Sequence, residues 1–284
     1  QLEFTSTMKL SIITVNLNDC NGLLTTMNSI TQQTFHDYEW IVIDGGSTDG
    51  SKQFIEEHAD LISYWVSEPD SGIYNAMNKA VRHAQGEYSL FLNSGDWLWE
   101  ESALENVFAE NPHADVVYGD IALISETEPT SIRTYSDRLS FNALYRLSIC
   151  HQSSFIRTEL LREEPYDETL RIVADWKFFI RKALARKTFL HVNTTVAAFC
   201  LTGISSSNPT VVTAERERVS AEEIPDCLLA DDIIINELKQ NQPDHQMMAL
   251  QALRSKNRFN HKMVTALIKF LTLIDKLTGR DGDD

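Results

Sequence analysis

Between residues 10 and 92 the chain repeats one pattern: a short run of β-branched and aromatic residues, a polar turn, then a stretch of helical period. Strands separated in this way by amphipathic helices pair in parallel, because each helix carries the chain back to the starting end of the sheet before the next strand begins. Strands are expected at 10–16, 39–43, 63–67 and 88–92, and helices at 22–33, 51–58 and 73–85, the last stopped by Gly86. The fourth strand, Tyr88-Ser-Leu-Phe-Leu92, is apolar enough to be buried on both faces. Past residue 100 the rhythm changes. Helices are expected at 101–110, 139–147 and 175–186, and strands at 115–124, 153–157 and 188–201, the last of them bent. The expected fold is α/β and Rossmann-like, with a mixed, mainly parallel sheet. The polar run Ser205-Ser-Ser-Asn-Pro209 marks a boundary, so residues 8–204 read as the main domain and 205–284 as a helical C-terminal extension. Residues 1–7, which precede Met8, read as a remnant outside the native sequence.

Charge and cysteine content narrow the function classes. Against 41 acidic residues stand 25 Lys and Arg, a formal net charge of −16, so the average surface repels a phosphate backbone and nucleic acid is not an expected partner. Cys20, Cys150, Cys200 and Cys227 form no CxxC pair, which argues against a disulfide framework or a zinc site and for a reducing compartment. No run of 18 apolar residues occurs, and no apolar signal region opens the chain; the expected location is the cytoplasm. The charge is unevenly spread. Residues 247–280 hold seven Lys and Arg against the single acid Asp275, about +6, whereas residues 1–246 carry −19. Met263, Leu267, Phe270, Leu271 and Ile274 recur there at helical spacing, which suits an amphipathic basic helix. It would either lie peripherally on the inner face of the cell membrane or dock its apolar stripe on the main domain.

In a parallel α/β sheet, ligands bind beyond the carboxyl ends of the strands. Four such ends carry polar or acidic residues here: Asn16, the run Asp44-Gly-Gly-Ser-Thr-Asp-Gly50, the run Glu68-Pro-Asp-Ser-Gly72, and Asn93-Ser-Gly-Asp96. Each alone could be turn chemistry. Four at one edge of the sheet point to a site.

The runs Ser11-Ile-Ile-Thr-Val-Asn16, Ile43-Asp-Gly-Gly-Ser-Thr-Asp-Gly50, Ser67-Glu-Pro-Asp-Ser-Gly-Ile-Tyr-Asn-Ala-Met-Asn78 and Gly86-Glu-Tyr-Ser-Leu-Phe-Leu-Asn-Ser-Gly-Asp96 resemble, in order and spacing, the motifs of family 2 glycosyltransferases with the GT-A fold. The likeness is strongest to the bacterial subgroup that builds colanic-acid-type exopolysaccharides, and it covers residues 10–201. The resemblance implies transfer of a sugar, with inversion, from a UDP-, GDP- or dTDP-sugar to a hydroxyl of a growing surface polysaccharide or lipid-linked glycan. It places Asp44 and Asp70 on the nucleoside and Asn16, Asn78, Asn93 and Ser94 around the donor. Asp96 becomes the ligand of a divalent cation, Mn²⁺ or Mg²⁺, that offsets the charge of the leaving diphosphate. Asp175 becomes the general base, a role compatible with its also serving as the N-cap of the helix that follows. His151 and Gln152 would contact diphosphate or acceptor, and a structural histidine is also open; Asp120 and Trp176 would face the acceptor, with a turn role open to Asp120.

The chain departs from the family pattern in three places. Gly45 stands where many members have a second acid, Asn93-Ser-Gly-Asp96 keeps one carboxylate of an Asp-x-Asp-Asp run, and Ala174 replaces an acid before Asp175. A catalytically inactive nucleotide-sugar-binding protein therefore stays open. A nucleotidyltransferase would want a Gly-rich loop with Lys or Arg after the first strand, which Asn16-Leu-Asn-Asp-Cys20 lacks. His191 could be a late metal ligand or a plain strand residue. Trp65, Trp97 and Trp99 could stack on a sugar or base, or pack in the core.

Overall fold

The computed structural model describes residues 8–125, 127–201 and 208–240. The basic segment 247–280 lies outside the described residues. Packing divides the chain into two units, Gln1–Glu223 and Ile224–Asp284.

The first unit is built on one sheet. Its strands are β1 (Leu10–Asn16), β2 (Tyr38–Asp44), β3 (Tyr64–Ser67), β4 (Tyr88–Phe91), β5 (Trp97–Leu98), β6 (Val116–Ile124), β7 (Ser131–Arg133), β8 (Ser154–Arg157) and β9 (Phe189–Cys200), in the order β3-β2-β1-β4-β8-β6-β9-β5, with β7 on β6. The expected parallel half is present: β1 pairs in parallel with β2 and β4, and β2 with β3. The other half is mixed, with β8 antiparallel to both β4 and β6 and β9 parallel to β6. Helices α1 (Cys20–Thr31), α2 (Ser51–Glu57) and α3 (Ile73–Val81) make the crossovers, and α4 (Ala103–Phe108) follows β5. Because the chain winds outward from β1 to β3 and then returns to β4 on the other side of β1, the strand order reverses between β1 and β4. That is where an open sheet leaves a crevice at its carboxyl edge.

Burial accounts for the strand reading. Every residue of β1 and β4 is buried, and Leu10, Ile12, Trp40, Val42, Leu90 and Phe155 share one core cluster with Leu23, Met27 and Ile30 of α1. Inside it the Trp40 indole donates to Thr14 Oγ1 at 2.9 Å, so the largest core side chain leaves no buried donor unpaired. Gly86 is required by close approach: a Cβ there would overlap the backbone of Leu10 and Ser11.

Several expectations are corrected. The first helix starts at Cys20, two residues early, because the Asp19 carboxylate caps it by accepting from Gly22 N at 2.9 Å. The third ends at Val81, followed by a turn at residues 82–83. β5, β7 and α6 (Thr158–Glu163) were not anticipated; strands of two and three residues carry no periodicity. α5 (Phe141–Leu147) and α7 (Ala174–Leu184) lie where helices were expected. The helix α8 (Pro209–Glu223) belongs to the first unit, so the packing boundary falls at 223/224 rather than at 205. In the second unit, α9 spans Asp226–Gln240. No described helix is long and apolar enough to cross a membrane.

Candidate active site

The four polar strand ends meet at the carboxyl edge, but in two separate networks. The first joins β1, β2 and β3. Asp44 Oδ1 accepts from Asn16 Nδ2 at 2.7 Å and from Ser47 Oγ, and Oδ2 accepts from Ser47 N at 3.0 Å and Ser67 Oγ at 2.6 Å. Burial alone would raise the Asp44 carboxyl, yet the donors outweigh it and hold the group below its ordinary range. With 0% exposure and all four lone-pair positions taken, Asp44 has nothing left for a nucleoside. It is the clamp that fixes three strand ends, which corrects its expected ligand role.

Asp70 is placed differently. It is half-buried; Oδ1 accepts from Gly72 N at 2.9 Å, while Oδ2 lies 2.7 Å from where a Cβ on Gly45 would stand. The missing second acid at position 45 is therefore matched by a carboxylate from the next strand end leaning into the vacated space. Leu17, 60% exposed, comes within 3.2 Å of the same point.

The second network joins β4, the 3-10 turn His151–Ser153 and α7. His151 and Gln152, adjacent in sequence, reach two different acids: His151 Nδ1 lies 2.9 Å from Asp175 Oδ2, and Gln152 Nε2 donates to Asp96 Oδ2 at 3.1 Å. On the other side of the ring, His151 Nε2 lies 3.3 Å from Asn93 Nδ2. Asp96 is 7% exposed, and burial raises its carboxyl to about 7 against the pull of the His151 charge and the Gln152 and Asn93 hydrogen bonds. Burial pushes Asp175 the same way. There the hydrogen bond and charge of His151, with Trp176 N at 2.8 Å and the Tyr74 hydroxyl at 3.2 Å, win and keep it ionised below the usual range. Two acids under similar burial are thus driven in opposite directions by their partners, the pattern of acid/base and ligand groups in catalytic sites.

Three buried polar atoms lack a partner among the described residues at this edge: Asn16 Oδ1, Asn93 Oδ1 and Ser94 Oγ. They end β1 and β4, on either side of the crevice where the strand order reverses. Orphaned polar atoms grouped at such a crevice mark a place where a ligand completes the hydrogen bonding.

Other expected residues are elsewhere. Asn78, on α3, donates to Tyr166 O and Glu168 Oε1, both at 2.9 Å, and accepts from Tyr166 N at 3.0 Å; it pins the 166–168 loop rather than a donor. Trp176 is 2% exposed, its indole donates to Leu144 O and Tyr145 O, and the Arg216 guanidinium covers its ring at 4.8 Å, so it is a core residue and not an acceptor contact. Asp120 lies within β6 opposite a bulge in β9, with Oδ1 accepting from Tyr135 N at 3.0 Å and paired with His191 Nε2 at 2.9 Å. His191 is accordingly a partner of Asp120 and not of Asp96. Asp175 is not an N-cap: α7 is entered through Val173, and Asp175 sits in its first turn.

Sequence reasoning missed the group that caps α7. Glu215 of α8 accepts from Arg171 N at 2.6 Å, Ile172 N at 2.9 Å and Val173 N at 3.2 Å, placing one carboxylate at the positive end of the helix that carries Asp175. No local signal exists for it, since its partners lie more than forty residues upstream. Tyr74 and Ser47 were also missed as site residues, although both lie inside the quoted motifs.

Residues 11–187 match the family model described as glycosyl transferase family 2. Among curated proteins, a PGL/p-HBAD biosynthesis glycosyltransferase of Mycobacterium bovis is 36% identical over 178 residues, 60% of this chain and 68% of that one. An uncharacterized glycosyltransferase of Mycobacterium tuberculosis is 31% identical over 223 residues, 76% and 84% of the two chains. Among solved structures, Staphylococcus aureus TarS 1–349 in complex with UDP aligns with a TM-score of 0.57 at 22% identity, over 68% of this chain and 60% of its own length. The mannosyltransferase PcManGT from Pyrobaculum calidifontis, in complex with GDP-Man and Mn²⁺, aligns with a TM-score of 0.58 at 16% identity, over 98% and 89%. These two share the fold, which is the GT-A arrangement expected from the motifs. A family match over more than half of the chain, carried by the strands whose ends build the site, establishes that this protein belongs to glycosyl transferase family 2 and is a glycosyltransferase.

Proposed function

We propose that the protein transfers a sugar, with inversion at the anomeric carbon, from a nucleotide-sugar donor to a hydroxyl of a lipid-linked or surface glycan. The observation that carries this reading is the His151-Gln152 step, which ties the ionised Asp175 to the buried Asp96 beside the crevice that holds the orphaned Asn16, Asn93 and Ser94 atoms.

Asp175 is the base. Oδ1 is engaged by Trp176 N and Tyr74, so Oδ2, which has one lone pair beyond its His151 contact, takes the proton of the acceptor hydroxyl. As that O–H bond breaks, the new C–O bond forms on the face opposite the diphosphate, and the electron pair of the old glycosidic bond leaves with the diphosphate. His151 holds the carboxylate in place and its charge. Asp70, over Gly45, is the acceptor for a nucleobase N–H, which uracil, thymine and guanine all present; this accords with the UDP and GDP-Man bound by the structural neighbours.

A divalent cation fits the site. Among the described residues no three His, Cys, Asp or Glu side chains converge on one point, so the protein offers one carboxylate, Asp96, with the unpartnered Asn93 Oδ1 and Ser94 Oγ in the same turn. All are oxygen donors, as Mn²⁺ and Mg²⁺ require, and diphosphate oxygens can complete the shell. When bound, the cation would neutralise charge on the leaving group. The lipid-linked or surface acceptor is supported by the name of the M. bovis relative, a PGL/p-HBAD biosynthesis enzyme.

The test is a thermal-shift panel of UDP, GDP and dTDP with and without Mn²⁺, followed by donor turnover with the nucleotide that binds. A nucleotide that raises Tm only with Mn²⁺, and only when Asp96 is present, is the expected result. Failure of every nucleoside diphosphate to shift Tm refutes the reading.

A further inference from the structure

A second pocket, of about 290 Å³, lies between α1 and β5. From the β5 side the pocket is lined by Trp97, Leu98 and, just after the strand, Trp99; Leu98 is 3% exposed, whereas Trp99 is 39% exposed and presents its indole to solvent there. Facing them, Thr25 and Asn28 of α1 and its C-cap residue Gln32 are spaced along one exposed polar stripe, while Leu23, Met27 and Ile30 are buried on the other side. The Asn28 and Gln32 amides make no side-chain hydrogen bond among the described residues, and α1 needs neither for its own stability. The glycosyltransfer chemistry uses none of these groups.

The lining selects a ligand class. It contains no Lys or Arg and includes Glu100 and Glu101, so a phosphate or nucleotide would be repelled. A wholly apolar ligand would strand the amides. A pyranose satisfies both halves, since its C–H face packs on an indole and its hydroxyls pair with amide and carboxylate groups. The volume lies at the lower end for small-ligand pockets and suits one sugar ring. We infer that the α1–β5 pocket binds a pyranose unit of a glycan, at a site distinct from the strand-end crevice. The two are physically joined, because Trp97 directly follows Asp96 and Thr26 of α1 donates to Asp96 O at 2.7 Å. A glycan held there is kept beside the transfer site. The inference rests on the pocket's own chemistry and stands whichever donor the enzyme uses.

The experiment is binding by the full-length protein, read as saturable change in tryptophan fluorescence and by saturation-transfer NMR. The probes are methyl glycosides of glucose, galactose and mannose, with choline and UDP as comparison ligands. At least one methyl glycoside should bind with a Kd on the order of millimolar, as expected of a small contact area. Both Trp99→Ala and Gln32→Lys should weaken it at least about tenfold while leaving the UDP-dependent Tm shift unchanged. Gln32→Lys changes an exposed helix-end residue, so it keeps the test valid if Trp99→Ala does not fold. The inference is overturned if no methyl glycoside saturates up to about 50 mM, a concentration well beyond a millimolar Kd. It is also overturned if both variants bind like wild type, or if UDP displaces the sugar and thereby places it in the crevice. Choline binding in its place would show a cation cage instead.

Discussion

Replacing Asp96 by Asn should stabilise the ligand-free protein, and by an amount that depends on pH. Asp96 is 7% exposed and its carboxyl is raised from 3.8 to about 7 by burial, a preference for the protonated form of about 4 kcal/mol. In the unfolded chain the group titrates normally. Below about pH 4 both states hold the proton and the wild type loses nothing; between about pH 4 and 7 the native state must keep a proton that the unfolded state has released, so wild-type stability falls with rising pH. Above about pH 7 the buried carboxylate is ionised and the full penalty is present. Asn carries no charge at any of these values and can still accept from Gln152. For a unit of this size, about 4 kcal/mol corresponds to a Tm difference on the order of 10 °C. The assay is differential scanning fluorimetry of both proteins after chelation, from pH 4.5 to 8.5. The Asp96→Asn protein should gain on wild type steadily up to about pH 7 and then hold a constant lead. Adding Mn²⁺ and a nucleoside diphosphate at pH 8 should close the gap from the wild-type side, because a cation replaces the missing proton. A Tm difference equal at pH 5 and pH 8 would refute the placement of Asp96 as a buried, uncompensated carboxylate.

Three further outcomes follow from the same geometry. Asp175→Asn should keep the nucleotide-dependent Tm shift and lose at least about 10²-fold in turnover, measured as released nucleoside diphosphate; near wild-type turnover would move the base elsewhere. Glu215→Ala strips the partner from three backbone N–H groups at the start of α7 and should cost about 1–3 kcal/mol in urea unfolding, with turnover falling at saturating donor because the Asp175 helix loses its anchor. Gly45→Ala puts a methyl group 2.7 Å from Asp70 Oδ2, so it should raise the donor KM while leaving kcat within about twofold, as removal of ground-state binding does; an unchanged KM would separate Asp70 from the nucleoside.

Local sequence decided the parallel half of this protein. Short runs of β-branched and aromatic residues at β1, β2 and β4, the amphipathic stretch of α1 and polar residues after each strand are nearest-neighbour properties, legible without knowing what packs on them. They were enough to locate the carboxyl edge and to put Asn16, Asp44, Asp70 and Asp96 along it, whereas His151 and Asp175 were singled out only through the family resemblance. Which of the acids face a ligand was not legible. Asp44 and Asp70 follow neighbouring strands in similar turns, yet one is sealed by four donors from three elements and the other leans over a glycine. Asn78 and Trp176 carry suitable chemistry, but their polar atoms are occupied by partners 88 and about 30 residues away in the chain. Glu215 shows the same limit from the other side, since an acid in the interior of α8 becomes the cap of α7 only when packing brings the two helices together. Side-chain identity and strand position are written locally; the count of lone pairs left over for a ligand depends on long-range contacts, and those exist only in the folded chain.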